Sequence, residues 1–322
     1  MEEAIRNFHT QFLFRPVVEN AGKLSRAKKF VVGGMGGSHL AAGLIARLRP
    51  SLDLAIHRDY GLPTLPDAHE RLYIASSYSG NTEETIDFAK TAVKKGYDVA
   101  VVAVGGKLLE FARKKKLPYV VLPDTGVQPR SALGFSLLAL LALMREKRLL
   151  ADCGPLAKIL SPDACEGEGK KLAKRLFSSV PIIYASSRNR EVAYNWKIKF
   201  NETGKIPAFY NVFPELNHNE MTGFDAVPKT KGLSDRFHFI FLTDSDDHPK
   251  IRQRMTVCRT LYEDRGLPVT EVPLEGRSPL EKIFTSLLVA DWTALHTARL
   301  YGAEAEQVPM VEEFKRLITN NS

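Results

Sequence analysis

Short β-branched runs alternate with longer amphipathic stretches along this whole chain, and that alternation admits few folds. Runs of this kind pair into a parallel sheet whose crossovers are helices. In the first half, strands are predicted over 29–32, 52–57, 72–76, 98–103 and 119–122, with helices over 38–48, 82–95 and 108–115. The apolar stretch 131–144, SALGFSLLALLALM, is short of the roughly 18 residues a membrane span needs. Arg145 follows it, so it reads as a buried helix closing the first domain. The stretch 152–170 mixes Gly, Pro, Ser and acids without a clean period, and its first part reads as a linker. The second half repeats the grammar, with strands over 181–185, 207–212, 237–243 and 269–272 and helices over 189–200, 249–265, 279–301 and 311–318. The expected fold is α/β, in two domains over 1–152 and 153–322, each a mainly parallel sheet flanked by helices. The 322 residues suit that number at about 100–200 residues per domain.

Composition narrows the function classes. At 44% hydrophobic residues the chain has enough apolar material to bury a core, which excludes general disorder. Its three cysteines, Cys153, Cys165 and Cys258, are odd in number and lack CxxC spacing, so neither a disulfide framework nor a zinc site is expected. The opening MEEAIRNF has acids where a secretory leader is basic, and a cytoplasmic location is expected. The formal charge of +8 fits a solvated surface or an anionic substrate. Lys and Arg are scattered, apart from a short run at 113–116, and no nucleic-acid partner is expected.

Four motifs carry chemistry. The first is FVVGGMGGSHLAAGLIA, 30–46, a strand running into glycines and then a helix opening at Ser38. Glycines let the backbone approach a ligand, and helix-terminal N–H groups favour an anion. A plain βα turn with Ser38 as N-cap accounts for the same residues. A dinucleotide site fits less well, because Gly34-x-Gly36 is followed by His39 where a third glycine belongs, and no Walker lysine is present. The second motif is YIASSYSGNTEETIDFAK, 73–90. Its hydroxyls at Ser76, Ser77, Ser79 and Thr82, with Gly80 at a helix start, suit a phosphomonoester. Capping would use one hydroxyl, not four. In a doubly wound sheet both loops open on one crevice.

The third motif is Gln128-Pro129-Arg130-Ser131, ahead of the buried helix. Beside such loops, Arg130 is a candidate to stabilise a developing oxyanion. The fourth, NWKIKFNETGKIPAFYNVFPELNHNEMTGF at 195–224, holds Glu202 at a helix end and His218 in a polar turn. A carboxylate and an imidazole can divide the two proton transfers of an isomerisation. Either residue alone reads equally as a solvated helix-end acid or a turn histidine. His218 with Glu220 invites a metal reading, but no second histidine stands at ligand spacing, and no metal is expected.

Together GMGGS, SSYSGNTEET, PRSALGFS and the NE-x-x-K block followed by NHNEM resemble the bifunctional phosphoglucose/phosphomannose isomerases, members of the sugar-isomerase (SIS) domain superfamily. The likeness runs from about residue 30 to the C-terminal helix. The serine-rich loop indicates only a sugar-isomerase domain; the NE…ELNHNEM block is the more specific signal. The resemblance implies two SIS-type domains, a homodimer, and reversible interconversion of glucose 6-phosphate with fructose 6-phosphate, without metal or cofactor. Mannose 6-phosphate is the second aldose implied, and the residues leave its acceptance open. By carry-over, Gly36, Gly37, Ser38, Ser77, Ser79 and Thr82 line the phosphate and sugar site. Glu202 is the base working through an enediol, and Arg130 stabilises the enediolate. His218, supplied by the partner subunit, helps open the sugar ring with Lys315 of VEEFKRL. NETGK carries Thr203 and Gly204 where many relatives have Asn or Ala with Ser. Alternatives are another sugar-phosphate isomerase, a non-catalytic sugar-phosphate sensor, for which no helix-turn-helix is seen before Phe30, and a nicotinamide dehydrogenase.

Overall fold

The structure is a computed structural model and describes residues 1–225 and 227–320; the last two positions of the expected second domain, 321 and 322, lie outside the described residues. The chain divides into two compact units. The first comprises Glu3–Pro162 with Gly276–Glu281, and the second Met1–Glu2, Asp163–Glu275 and the chain from Lys282 onward.

In the first unit, after the short helix α1 (Glu2–Arg6), the elements follow as β1 (Lys29–Gly33), α2 (Gly37–Leu48), β2 (Asp53–His57), β3 (Arg71–Ser76), α3 (Glu83–Lys94), β4 (Asp98–Ala103), α4 (Gly106–Lys115) and β5 (Tyr119–Val121). Three helices close it: α5 (Leu133–Leu143), α6 (Lys147–Cys153) and α7 (Leu156–Ile159). The strands pair in the order β2-β1-β3-β4-β5, all parallel. β3 is buried at every residue and β4 at all but Asp98, which is why their sequences read as continuous apolar runs rather than alternating ones. Phe88 and Ala92 of α3 and Leu108 and Ala112 of α4 pack on Val31, Tyr73 and Val101. In α5 every residue but Ala142 is buried, as befits a helix apolar all round.

The second unit holds α8 (Pro162–Arg175), β6 (Val180–Ser186), α9 (Arg190–Glu202), β7 (Phe209–Phe213), the one-turn helices α10 (Glu220–Gly223) and α11 (Lys231–Ser234), β8 (Phe237–Thr243), α12 (Pro249–Glu263), β9 (Val269–Pro273), α13 (Pro279–Leu300) and α14 (Pro309–Asn320). Its sheet, also parallel, has the order β7-β6-β8-β9. Numbered within the unit this is 2-1-3-4, the order of the first four strands of the other sheet. One face of it is aromatic, with Tyr184, Phe213, Phe239, Phe241 and Tyr262 packed together.

The stretch expected to open as a linker is instead mostly helical, running through the end of α6, all of α7 and most of α8. The buried stripe of α8 runs through Cys165, Gly169, Leu172 and Ala173 and is continued by Leu176 just past the helix end, a helical spacing whose second member is a glycine and hides the period. A Cβ at Gly169 would stand 2.5 Å from Cβ of Trp292 and 2.8 Å from the Thr293 nitrogen. The glycine lets α8 pack against α13, and that packing outweighs its poor helix propensity. Among the described residues no helix is long and apolar enough to cross a membrane.

Two buried histidines set an acid limit on stability. Burial pushes the imidazoles of His39 in α2 and His238 in β8 down to about 4. Each stays neutral in the fold while the unfolded chain takes up a proton below about pH 6.5. The stabilisation is therefore complete above that value and is lost as pH falls towards 4. His238, whose Nε2 lies 2.8 Å from Thr270 Oγ1, gives the test. His238→Gln is expected to shrink the fall in Tm between about pH 7 and about pH 4.5; an unchanged fall would mean that this imidazole titrates freely.

Candidate active site

The strand order 2-1-3-4-5 of the first unit reverses direction between β1 and β3, and in open α/β sheets the crevice beyond the carboxyl ends at such a point is where ligands bind. The glycine loop follows β1 there and the serine loop follows β3. They are tied together: the Ser76 hydroxyl donates to the Ser38 carbonyl at 2.9 Å, and the Tyr78 backbone N–H donates to Ser38 Oγ at 2.9 Å. Ser38 therefore does not cap its helix. Gly36, at φ 51° and ψ −127°, holds the N-cap position of α2, and no side chain caps the helix.

Thr82 occupies the N-cap of α3 in extended conformation, yet its side chain makes no capping bond. Its Oγ1 lies 2.9 Å from Oγ of Ser77, which is 1% exposed and also accepts the Gly80 N–H at 3.1 Å. The hydroxyls thus bond to one another across the mouth of a helix whose first turn is left to other partners. Ser79 is exposed at the tip, its Oγ accepting from the Asn81 N–H at 3.3 Å.

Arg130 is brought to the same edge by its backbone. It lies in a 3-10 turn, Pro129–Ser131, and is 2% exposed. A Cβ at Gly37 would stand 2.7 Å from the Arg130 nitrogen and 2.7 Å from the Pro129 carbonyl carbon, so only glycine at the first residue of α2 allows this approach. Gln11 fastens the turn from behind. Its Nε2 donates to the Ser131 carbonyl at 2.6 Å, and its Oε1 accepts the Gly134 N–H at 2.9 Å. Nothing in the sequence marks Gln11, a single amide more than a hundred residues from the turn that it holds.

The other expected site residues belong to the second unit. Glu202 is the last residue of α9 and is half-buried. Beyond it the chain turns sharply, with Lys205 Nζ donating to the Glu202 carbonyl at 2.6 Å and to the Gln307 carbonyl, and Asn201 Nδ2 donating to the Ile206 carbonyl at 3.0 Å. His218 is exposed at the end of a 3-10 turn, Glu215–His218, after β7. The chain just past it is anchored through Glu220, whose Oε1 accepts from the buried Tyr184 hydroxyl at 2.5 Å and whose Oε2 accepts from Asn211 Nδ2. Burial pushes the Tyr184 phenol up, keeping it a donor. Tyr184 and Asn211 were not singled out from the sequence, where each reads as an ordinary strand residue. Lys315 stands on the exposed α14 with its Nζ 2.8 Å from Glu312. Among the described residues no group of three or more His, Cys, Asp or Glu side chains is placed to hold a metal ion.

Comparison with known proteins adds identity to this geometry. Residues 166–318 match the family described as the bacterial phospho-glucose isomerase C-terminal SIS domain. The bifunctional phosphoglucose/phosphomannose isomerase of Caldicellulosiruptor bescii is 34% identical over 304 residues, covering 89% of this chain and 88% of that protein. The chain belongs to the bifunctional phosphoglucose/phosphomannose isomerase family. It is an isomerase, as the motifs at 76–82 and 195–224 imply. The family's Aquifex aeolicus member is 29% identical, covering 98% of each chain. Among solved structures, tagatose-6-phosphate ketose/aldose isomerase from Escherichia coli aligns at TM-score 0.65 and 18% identity, covering 95% of this chain and 90% of that one. Glucosamine-6-phosphate deaminase from Thermotoga maritima aligns at TM-score 0.67 and 14% identity, covering 95% of each. At such identities these two share the fold, the double SIS-type α/β architecture expected from the sequence.

Proposed function

We propose that this isomerase interconverts glucose 6-phosphate, and mannose 6-phosphate, with fructose 6-phosphate through an enediol intermediate. The observation that carries the reading is the serine loop at the first unit's switch point. Four hydroxyls and two helix starts whose N-cap residues make no side-chain capping bond gather there, an arrangement suited to a phosphate dianion. Phosphate binding by Ser38, Ser77, Ser79 and Thr82, with the Gly36–Gly37 backbone, supplies binding energy remote from the reacting carbons, which is used for positioning. Glu202 takes the proton from C2 of the aldose and returns it to C1, a shuttle for which a carboxylate is suited. Arg130 stabilises the enediolate oxygen. His218, donated by the second subunit of a homodimer, and Lys315 open the sugar ring by proton transfer.

The direct test is a coupled assay on EDTA-treated protein, following fructose 6-phosphate formation from each aldose phosphate separately. Turnover of both aldoses is expected. Turnover of glucose 6-phosphate alone would restrict the reading to a phosphoglucose isomerase. If neither reacts while sugar phosphate still raises Tm, the protein is a sensor or acts on a different sugar phosphate. Ser79→Ala tests the loop itself. A hydrogen bond to a charged group contributes about 1.5–3 kcal/mol, so KM is expected to rise about tenfold or more with kcat largely kept. Unchanged KM would remove Ser79 from the phosphate site.

A further inference from the structure

We propose that Lys199 and Asp291 are positioning residues for the isomerisation, holding the end of α9 so that the Glu202 carboxylate stays in register with its substrate. The inference rests on the reading of Glu202 as the base. Glu202 is the last residue of its helix, where the final turn lacks onward backbone bonds and frays readily. A base that moves a proton between adjacent carbons needs its carboxylate held within about 0.5 Å. The structure puts the holding device one turn earlier. The Lys199 carbonyl accepts the N–H groups of both Thr203 at 2.9 Å and Gly204 at 3.0 Å, so this residue closes the helix. The same residue's side chain reaches α13, where its Nζ lies 2.6 Å from Asp291 Oδ1, the two side chains being 4% and 8% exposed. A second tie lies one turn back, where Trp196 Nε1 donates to Ser286 Oγ at 3.0 Å. Both anchors run from α9 to α13 within the second unit.

Stability does not explain the choice of an ion pair here. Removing two charges from water costs about as much as their attraction returns, and apolar residues of similar volume commonly hold a helix pair as well or better. An ion pair with a short hydrogen bond does what an apolar contact does not: it fixes the helix along and about its axis. That is of use where a catalytic carboxylate stands at i+3 from the lysine.

Two variants test the assignment. Lys199→Met combined with Asp291→Leu replaces the pair by apolar volume, and Asp291→Glu keeps both charges but lengthens one arm by a methylene. In each, Tm is expected to stay within a few degrees of the parent and KM for glucose 6-phosphate to change less than about twofold. The expected fall in kcat is on the order of 10–100-fold, the scale of a misplacement near 1 Å. Amide hydrogen exchange at Thr203 and Gly204 is expected to quicken, while the strands stay protected. Should the double variant fail to fold, Asp291→Glu carries the test alone. A folded variant with the parent's kcat and unchanged exchange at these amides overturns the proposal. Running Glu202→Gln alongside separates the two claims. If that variant loses turnover while the pair variants keep it, the positioning role fails and the base survives; if it keeps turnover, the assignment of the base fails.

Discussion

Glu202→Gln is expected to lower kcat on glucose 6-phosphate by about 10²–10⁴-fold, the contribution of a positioned general base, while KM moves little. The substitution keeps the shape of the side chain and removes only its capacity to accept a proton. The neighbouring backbone has supports of its own: the Lys205 ammonium bonds to the Glu202 carbonyl, and α9 is closed through the Lys199 carbonyl. The fold and the turn beyond the helix should therefore survive, and Tm should stay close to the parent's. Substrate affinity should also survive, because the phosphate is assigned to hydroxyls of the first unit. A loss confined to kcat, with kcat/KM falling by the same factor, identifies an interaction made in the transition state only. Steady-state kinetics in both directions, with calorimetric titration of fructose 6-phosphate into the variant, give the two numbers needed. Turnover within a factor of three of the parent would dismiss Glu202 as the base.

What the sequence made legible divides by the range of the interactions involved. The central strands β1, β3, β4, β6 and β8 were readable because buried parallel strands are runs of apolar residues, and the loops after β1 and β3 because glycine and serine clusters interrupt those runs. The apolar helix α5 announced itself by having no polar face. Contacts between distant positions left no such trace. Gln11 and Ser131, 120 residues apart, share a hydrogen bond that holds Arg130's turn. Lys199 and Asp291, 92 residues apart, hold Glu202's helix. Neither pair has a period or a motif. Helix α8 was missed for a different reason, since Gly169 occupies the point in its buried stripe where an apolar side chain would have shown the spacing. Thr82 illustrates a partial reading. Its place at the start of α3 was evident, but that its hydroxyl turns to Ser77 rather than to the helix is decided by the folded loop.

Gly37→Ala is expected to cost activity out of proportion to the stability it removes. The residue lies in the first turn of α2 with ordinary helical backbone, so the substitution brings no conformational strain of its own. Its whole effect is contact. The new Cβ would meet the Arg130 nitrogen at 2.7 Å, the Pro129 carbonyl carbon at 2.7 Å and the Pro129 carbonyl oxygen at 2.9 Å. Carbon atoms settle at about 3.5–4.0 Å, so the 3-10 turn must retreat by about 1 Å. Backbone cannot swing aside as a side chain does, and Gln11 resists the retreat through its bonds to Ser131 and Gly134. Overpacking of this kind costs about 1–3 kcal/mol, which lowers Tm by roughly 2–4 °C per kcal/mol in a unit of this size. The protein should therefore remain folded at assay temperature. Activity should fall out of proportion, since a displacement near 1 Å of a group that stabilises the enediolate costs on the order of 10²-fold. The loss should appear in kcat at least as much as in KM, because Arg130 is assigned to the reacting oxygen and not to the phosphate. Measured together, Tm and kcat/KM decide the matter. A variant with a lowered Tm and the parent's kcat would show that the turn bearing Arg130 packs against the glycine loop without serving the reaction.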